Sequence, residues 1–256
     1  GEKSATGQPS PVEGNRLKVH LNNIYVVAEM QNAVPEGFSY PTRLIKSTPE
    51  EGVERWLEDR ELKRLYQVLE EEPHGKALYA VQLLVHTGMR KEELLSLQWS
   101  DVHLDRVSGR ACVPPHIFVG TTKTKTKLFS VLAPQAIQIF EHLASQRTSH
   151  PAVFPSDTIE GKSIQDVRHQ WNRIRRNAGL KNFRMHDLRH SVGTWLGALG
   201  FTELQIARTL NHKKNTVTER YSLIPNEKKE EVICALADWL QDQVGPPILK
   251  ELVQGT

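Results

Sequence analysis

Between Val102 and Ala133 the hydrophobic period of this chain drops toward two, while on both sides it keeps the spacing of helices. Ala111-Cys112-Val113, Ile117-Phe118-Val119 and Leu128 to Leu132 read there as three short strands, with Thr and Lys filling the gap between the last two. Around this interruption the spacing predicts helices from Leu57 through Leu69, over Ala77–His86 with a stop at Gly88, and over Pro134–Ser145. Further helices are predicted over Ser163–Ala178, His186–Leu199, Glu203–Leu210, Thr216–Ser222 and Glu227–Gln243. The fold class that follows is α+β: mainly α-helical, with one small three-stranded antiparallel β-sheet.

The flanks are simpler. Residues 1–14 are rich in Gly, Pro and Ser and read as a disordered leader. Asn15–Ala33 has a helical apolar period at Leu17, Leu21, Ile24, Val27 and Ala28. It runs into Pro35, Gly37, Pro41 and Pro49, so 15–50 reads as one helix plus a linker. One such helix cannot form a domain and must pack on something else. Residues 51–243 form the main domain and 244–256 a tail. The tail's Ile248, Leu249, Leu252 and Val253, beyond a Gly-Pro-Pro break, fit either docking on a neighbouring copy or folding back on the chain's own domain.

Charge separates along the chain although the total is only +3. Thr48 to Glu72 holds nine acids and four bases, net −5. Thr121 to His190 holds twelve bases and five acids, net +7, with five of the eleven histidines. A basic centre fits a polyanionic partner, and equally a solvated face without one. No apolar run approaches the ~18 residues of a membrane span. Cys112 and Cys234 are too few for a disulfide scaffold, which makes a reducing compartment the default.

Three local motifs carry chemistry. One is Thr87-Gly88-Met89-Arg90-Lys91-Glu92-Glu93, an arginine after a helix-stopping glycine with a carboxylate three residues on. The second is His186-Asp187-Leu188-Arg189-His190, and the third is Leu210-Asn211-His212, followed nine residues later by Tyr221. At 100° per residue, Leu188, Val192, Trp195, Leu196 and Leu199 share one face of their helix, and His186, Arg189, His190, Gly193 and Gly197 the other. Glycines beside charged residues let a partner approach closely. His186 and His190, at i and i+4, also have the spacing of a zinc pair, with His212 as a third ligand. Arg189 between them would repel the cation.

This ordered set resembles the tyrosine recombinases, or phage-integrase family, over about Leu57 to Leu240. The Thr-Gly-x-Arg-x-x-Glu stretch, the His-x-x-Arg, a histidine 23 residues after Arg189 and a tyrosine nine after that all match. The resemblance implies site-specific DNA cleavage and rejoining through a covalent 3′-phosphotyrosyl intermediate, without metal, ATP or another cofactor. It implies Tyr221 as nucleophile, Arg90 and Arg189 on the phosphate oxygens, His212 as a further donor, and His186 in hydrogen bonding and proton transfer. Glu93 would orient Arg90 or a neighbouring helix, and His190 would pack locally.

The family's lysine opens its hairpin turn. That favours Lys123 as acid for the departing 5′ oxygen, with Lys125 the alternative, and leaves Lys125 and Lys127 for backbone phosphates. Asn211 stands where the family usually has glycine, a departure expected to alter only the local turn. Implied partners are double-stranded DNA and further protomers in a tetrameric synapse, in a bacterial or phage-derived cytoplasmic setting. The helix at 15–33 resembles the last helix of the family's core-binding domain, which implies more chain before it. Rivals are a type IB topoisomerase-like enzyme, a non-catalytic DNA-binding relative and, least favoured, a His-ligated zinc hydrolase.

Overall fold

A computed structural model describes residues 11–49, 55–72, 75–107, 113–120, 127–156, 159–212 and 224–250. The chain divides into two compact units, Gly1–Glu54 and Arg55–Thr256.

In the first unit, α1 spans Pro11–Met30 and buries none of its residues. It begins four residues inside the expected leader, because Pro11 has the φ of a helix N-terminus and Glu13 lies in the first turn, where negative charge is favoured. It also ends three residues before Ala33, with Asn32 in the left-handed region at φ 54. The proline-rich stretch after it folds back along the helix. Tyr40 stacks on Tyr25 with centroids 5.3 Å apart, and Thr42 Oγ1 donates to Asn22 Oδ1 at 3.1 Å. Asn15 exchanges two hydrogen bonds with the Thr48 backbone, at 2.8 and 2.9 Å.

The second unit is built around α3 (Lys76–Thr87), in which every residue from Ala77 onward is buried. A helix hydrophobic all round belongs in a core, and four neighbours cover this one: α4 (Lys91–Leu95), α5 (Pro134–Ser145), α7 (Asp187–Ala198) and α9 (Asn226–Val244). The helix α2 (Asp59–Glu71) turns Leu62, Leu65, Tyr66 and Leu69 inward, the i, i+3, i+4, i+7 stripe of an amphipathic helix. In α9 the buried set is Val232, Ile233, Leu236, Ala237 and Leu240. The short α8 (Glu203–Thr209) packs against both α7 and α9.

The sheet has three antiparallel strands in the order β1 (Val102–His103), β2 (His116–Val119), β3 (Leu128–Val131). Val102 pairs with Ile117, and Ile117 with Ser130. Two expectations need correcting. The first strand is Val102–His103, not 111–113; Val113 forms only an isolated bridge with Val107, and Ala111 and Cys112 lie outside the described residues. The helix expected from Ser163 starts at Arg168 as α6 (Arg168–Asn177), because Ser163 is taken by a bridge to Pro155. The helix expected over Thr216–Ser222 lies outside the described residues.

Through Lys250 the tail folds back on its own unit. Gln82 exchanges two hydrogen bonds with the Ile248 backbone, at 2.8 and 3.0 Å. The Lys250 N–H donates to Tyr79 Oη at 2.9 Å. Among the described residues, no helix is long and apolar enough to cross a membrane.

Candidate active site

Two backbone reversals make the site. At the end of α3, Gly88 adopts the left-handed conformation at φ 61. A Cβ there would lie 2.5 Å from Leu210 Cδ2 and 3.0 Å from Val192 Cγ1. Glycine fits best, since the left-handed backbone disfavours a side chain and a Cβ would have to displace the end of Leu210 and press on Val192. The chain then reaches Arg90, one residue before α4. Glu93, one turn along, accepts from the Arg90 N–H at 3.3 Å and from Nη1 at 2.9 Å. A charge-assisted pair over one helical turn holds the guanidinium in place.

The second reversal follows α8. Asn211 is left-handed at φ 54, a conformation asparagine tolerates. The His212 N–H closes this turn on Ala207 O at 2.9 Å.

Arg189 joins the two reversals. On α7 it is 6% exposed, buried although the helical wheel groups it with His186 and His190. Its charge is met internally: Nη1 donates to Gly88 O at 2.7 Å and Nη2 to Leu210 O at 2.5 Å. Gly193 and Gly197, on the same face, border Leu210 and Ile206. The face they share is covered by the chain's own α8 and the Leu210 that follows it. Leu199, expected in the core, is 37% exposed because α7 has ended at Ala198.

His186 immediately precedes α7, and its ring meets that of His190 edge-on, centroids 5.1 Å apart; both residues are exposed. Asp187 is buried and anchors the start of the helix, accepting from the Arg184 N–H at 2.7 Å and from Nη2 at 2.8 Å.

The electrostatics tie these groups together. Burial, followed by the Arg90 charge, pushes Arg189 down to about 10, so it stays cationic at neutral pH. Partial burial, then Arg189 and Arg90, push His212 down to about 4. His186 is lowered by burial and by His190 and Arg189. Arg90, Arg189, His186, His190 and His212 thus sit within reach of one another's fields. Two fixed cations beside imidazole side chains make a receptor for a phosphate-like anion. Among the described residues, no three His, Cys, Asp or Glu are grouped to hold a metal ion.

Lys123, Lys125 and Tyr221 lie outside the described residues. Lys127 is exposed one residue before β3. Sequence reasoning missed Asn211 as more than a turn: its Nδ2 donates to Phe129 O on β3 at 2.9 Å. It also missed Ser191 and Trp195. Ser191 Oγ accepts the Leu57 N–H at 2.8 Å, and Trp195 Nε1 donates to Leu57 O at 3.2 Å. The bare presence of an asparagine before His212 was the one available signal for the first; the other two read only as helix residues.

Known proteins resemble this chain in sequence and fold. The integrase of Salmonella phage P22 is 24% identical over 186 residues, 69% of this chain and 46% of that protein. This chain thus spans about half the length of that relative, and 34% of the prophage integrase IntF of Escherichia coli (strain K12). Among solved structures, the XerH site-specific recombinase bound to its difH substrate superposes with a TM-score of 0.61 at 20% identity, over 84% of this chain and 62% of that one. A lambda integrase tetramer bound to a Holliday junction gives 0.56 at 18% identity, over 80% and 58%. The fold is that of tyrosine-recombinase catalytic domains, mainly helical with the small antiparallel sheet expected from the sequence. The model of the phage integrase family matches residues 55–227, more than half of the sequence, and the chain belongs to that family.

Proposed function

We propose that this chain cleaves and rejoins DNA as the catalytic part of a site-specific recombinase. The observation that carries the reading is the convergence of Arg90, Arg189, His186 and His212 on one cationic patch, braced by Arg189 through the Gly88 and Leu210 carbonyls. Arg90 and Arg189 neutralise the non-bridging oxygens of a DNA phosphate, whose negative charge grows in the transition state. His212, neutral in the free protein, donates a further hydrogen bond. The Tyr221 oxygen attacks phosphorus and gives up its proton, which His186 accepts. The bond from phosphorus to the 5′ oxygen breaks, and Lys123 protonates that oxygen. The 3′-phosphotyrosyl ester keeps the bond energy, so a 5′ hydroxyl can reverse the steps without ATP.

Double-stranded DNA is the proposed substrate and further copies of the protein the proposed partners, in line with the DNA-bound structures above. The phage and prophage relatives support a cytoplasmic setting. They also favour recombination over topoisomerase-like relaxation.

A nicked suicide DNA site tests the reading. Wild-type protein gives a covalent adduct that survives denaturation, and Tyr221→Phe gives none. An undiminished adduct with Tyr221→Phe would falsify the assignment of the nucleophile.

A further inference from the structure

Asn211 does two things at once. Its backbone makes the left-handed turn before His212, a task glycine performs without cost. Its side chain reaches a different element: Nδ2 donates to Phe129 O at 2.9 Å, across 82 residues of chain. The Asn211 carbonyl meanwhile accepts from Arg90 Nη2 at 3.5 Å. Phe129 is fixed within the sheet, since its ring stacks on His116 of β2 at 4.7 Å and lies under Lys229 Nζ at 5.0 Å. One residue therefore connects the β2–β3 hairpin, the arginine after Gly88 and the loop ending in His212.

We infer that Asn211 is a positioning residue whose amide sets the place of the β2–β3 hairpin against the arginine pair, so that the hairpin's proton donor meets the leaving 5′ oxygen. This rests on the recombinase reading above. In the cleavage step the tyrosine oxygen bonds to phosphorus, the P–O5′ bond breaks, and the 5′ oxygen takes up a proton. A sulfur in that bridging position leaves as a thiolate. With a thiol pKa of about 8.5, it needs no donor.

The test compares cleavage of two nicked DNA sites that differ only in a bridging 5′ oxygen or 5′ sulfur. Asn211→Gly keeps the turn and removes the amide. Asn211→Asp keeps the shape and turns a donor into an acceptor facing a carbonyl. Both variants should slow cleavage of the oxygen DNA about 10- to 100-fold, yet stay within about threefold of wild type on the sulfur DNA. Asn211→His, which tolerates the turn and can donate, should recover part of the loss.

Equal slowing on both DNAs, or no slowing on either, overturns the inference while leaving the recombinase reading intact. Failure of wild-type protein to form an adduct on either DNA overturns both. If one variant fails to fold, the other decides.

Discussion

Arg189 donates Nη1 to the carbonyl oxygen of Gly88 at 2.7 Å, across 101 residues of sequence. A second donation, to Leu210 O, makes this buried guanidinium the fastener of both loops, the one that leads to Arg90 and the one that leads to His212. The same side chain is thus a structural brace and, in the proposed function, a charge for the substrate, and the two roles can be separated by comparing it with Arg90.

Arg90→Ala and Arg189→Ala should each reduce covalent adduct formation by at least about 100-fold, the usual effect of losing one transition-state donor. Their stabilities should part. Arg189→Ala strands two buried carbonyls and should cost roughly 2–4 kcal/mol. Arg90, partly exposed and paired with Glu93, should cost about 1 kcal/mol or less. Thermal melting of both variants beside the adduct assay checks this; equal melting temperatures would contradict the brace.

Gly88→Ala should destabilise by roughly 2–4 kcal/mol, adding a left-handed strain of about 1–2 kcal/mol to overpacking against Leu210. Because Leu210 O is an Arg189 acceptor, cleavage should fall as well. Urea unfolding and the suicide-DNA assay measure the two effects.

Stability should fall on mild acidification. His86 is buried beside Tyr66, and burial pushes it down to about 4; His212 is lowered to about 4 as well. Between pH 6.5 and 4 the unfolded chain binds protons at these residues that the folded chain refuses. Their contribution is whole above about pH 6.5 and is lost as pH drops toward 4. His86→Leu should make the stability curve in that window shallower by roughly 3 kcal/mol, at 1.36 kcal/mol per pKa unit. Denaturant midpoints at a series of pH values would show an unchanged slope if the idea fails.

Ser191→Ala should leave the buried Leu57 N–H without its acceptor and cost roughly 1–3 kcal/mol. Trp195→Phe removes the donor to Leu57 O. Since both bonds hold one residue, the double variant should be less than additive. Additive losses in chemical denaturation would mean that the two bonds act separately.

Where a single residue type dictates the backbone, the sequence was readable. Pro134 opens α5 and Gly88 closes α3 where expected, because the ring of one and the missing side chain of the other leave few alternatives. Where partners distant in sequence decide, it was not. Val102–His103 is too short to show alternation and becomes a strand only by pairing with β2. A helical wheel places Arg189 with the polar residues, since it has no knowledge of two carbonyls waiting inside. The glycines of α7 suggested a partner's approach, but what lies against them is Ile206 of α8 and Leu210. The arginine and histidine motifs were legible because their spacings are local. The role of Asn211 was not, because its amide partner lies 82 residues away.

The pinning of Leu57 has a mechanical consequence. The chain enters the second unit at Arg55, and two residues later its backbone is bonded on both sides to α7, the helix that carries Arg189. A pull on the incoming chain is therefore borne by that helix rather than dissipated in a slack loop. Tension applied at residue 55 loads α7 at Ser191 and Trp195, two and six residues beyond Arg189.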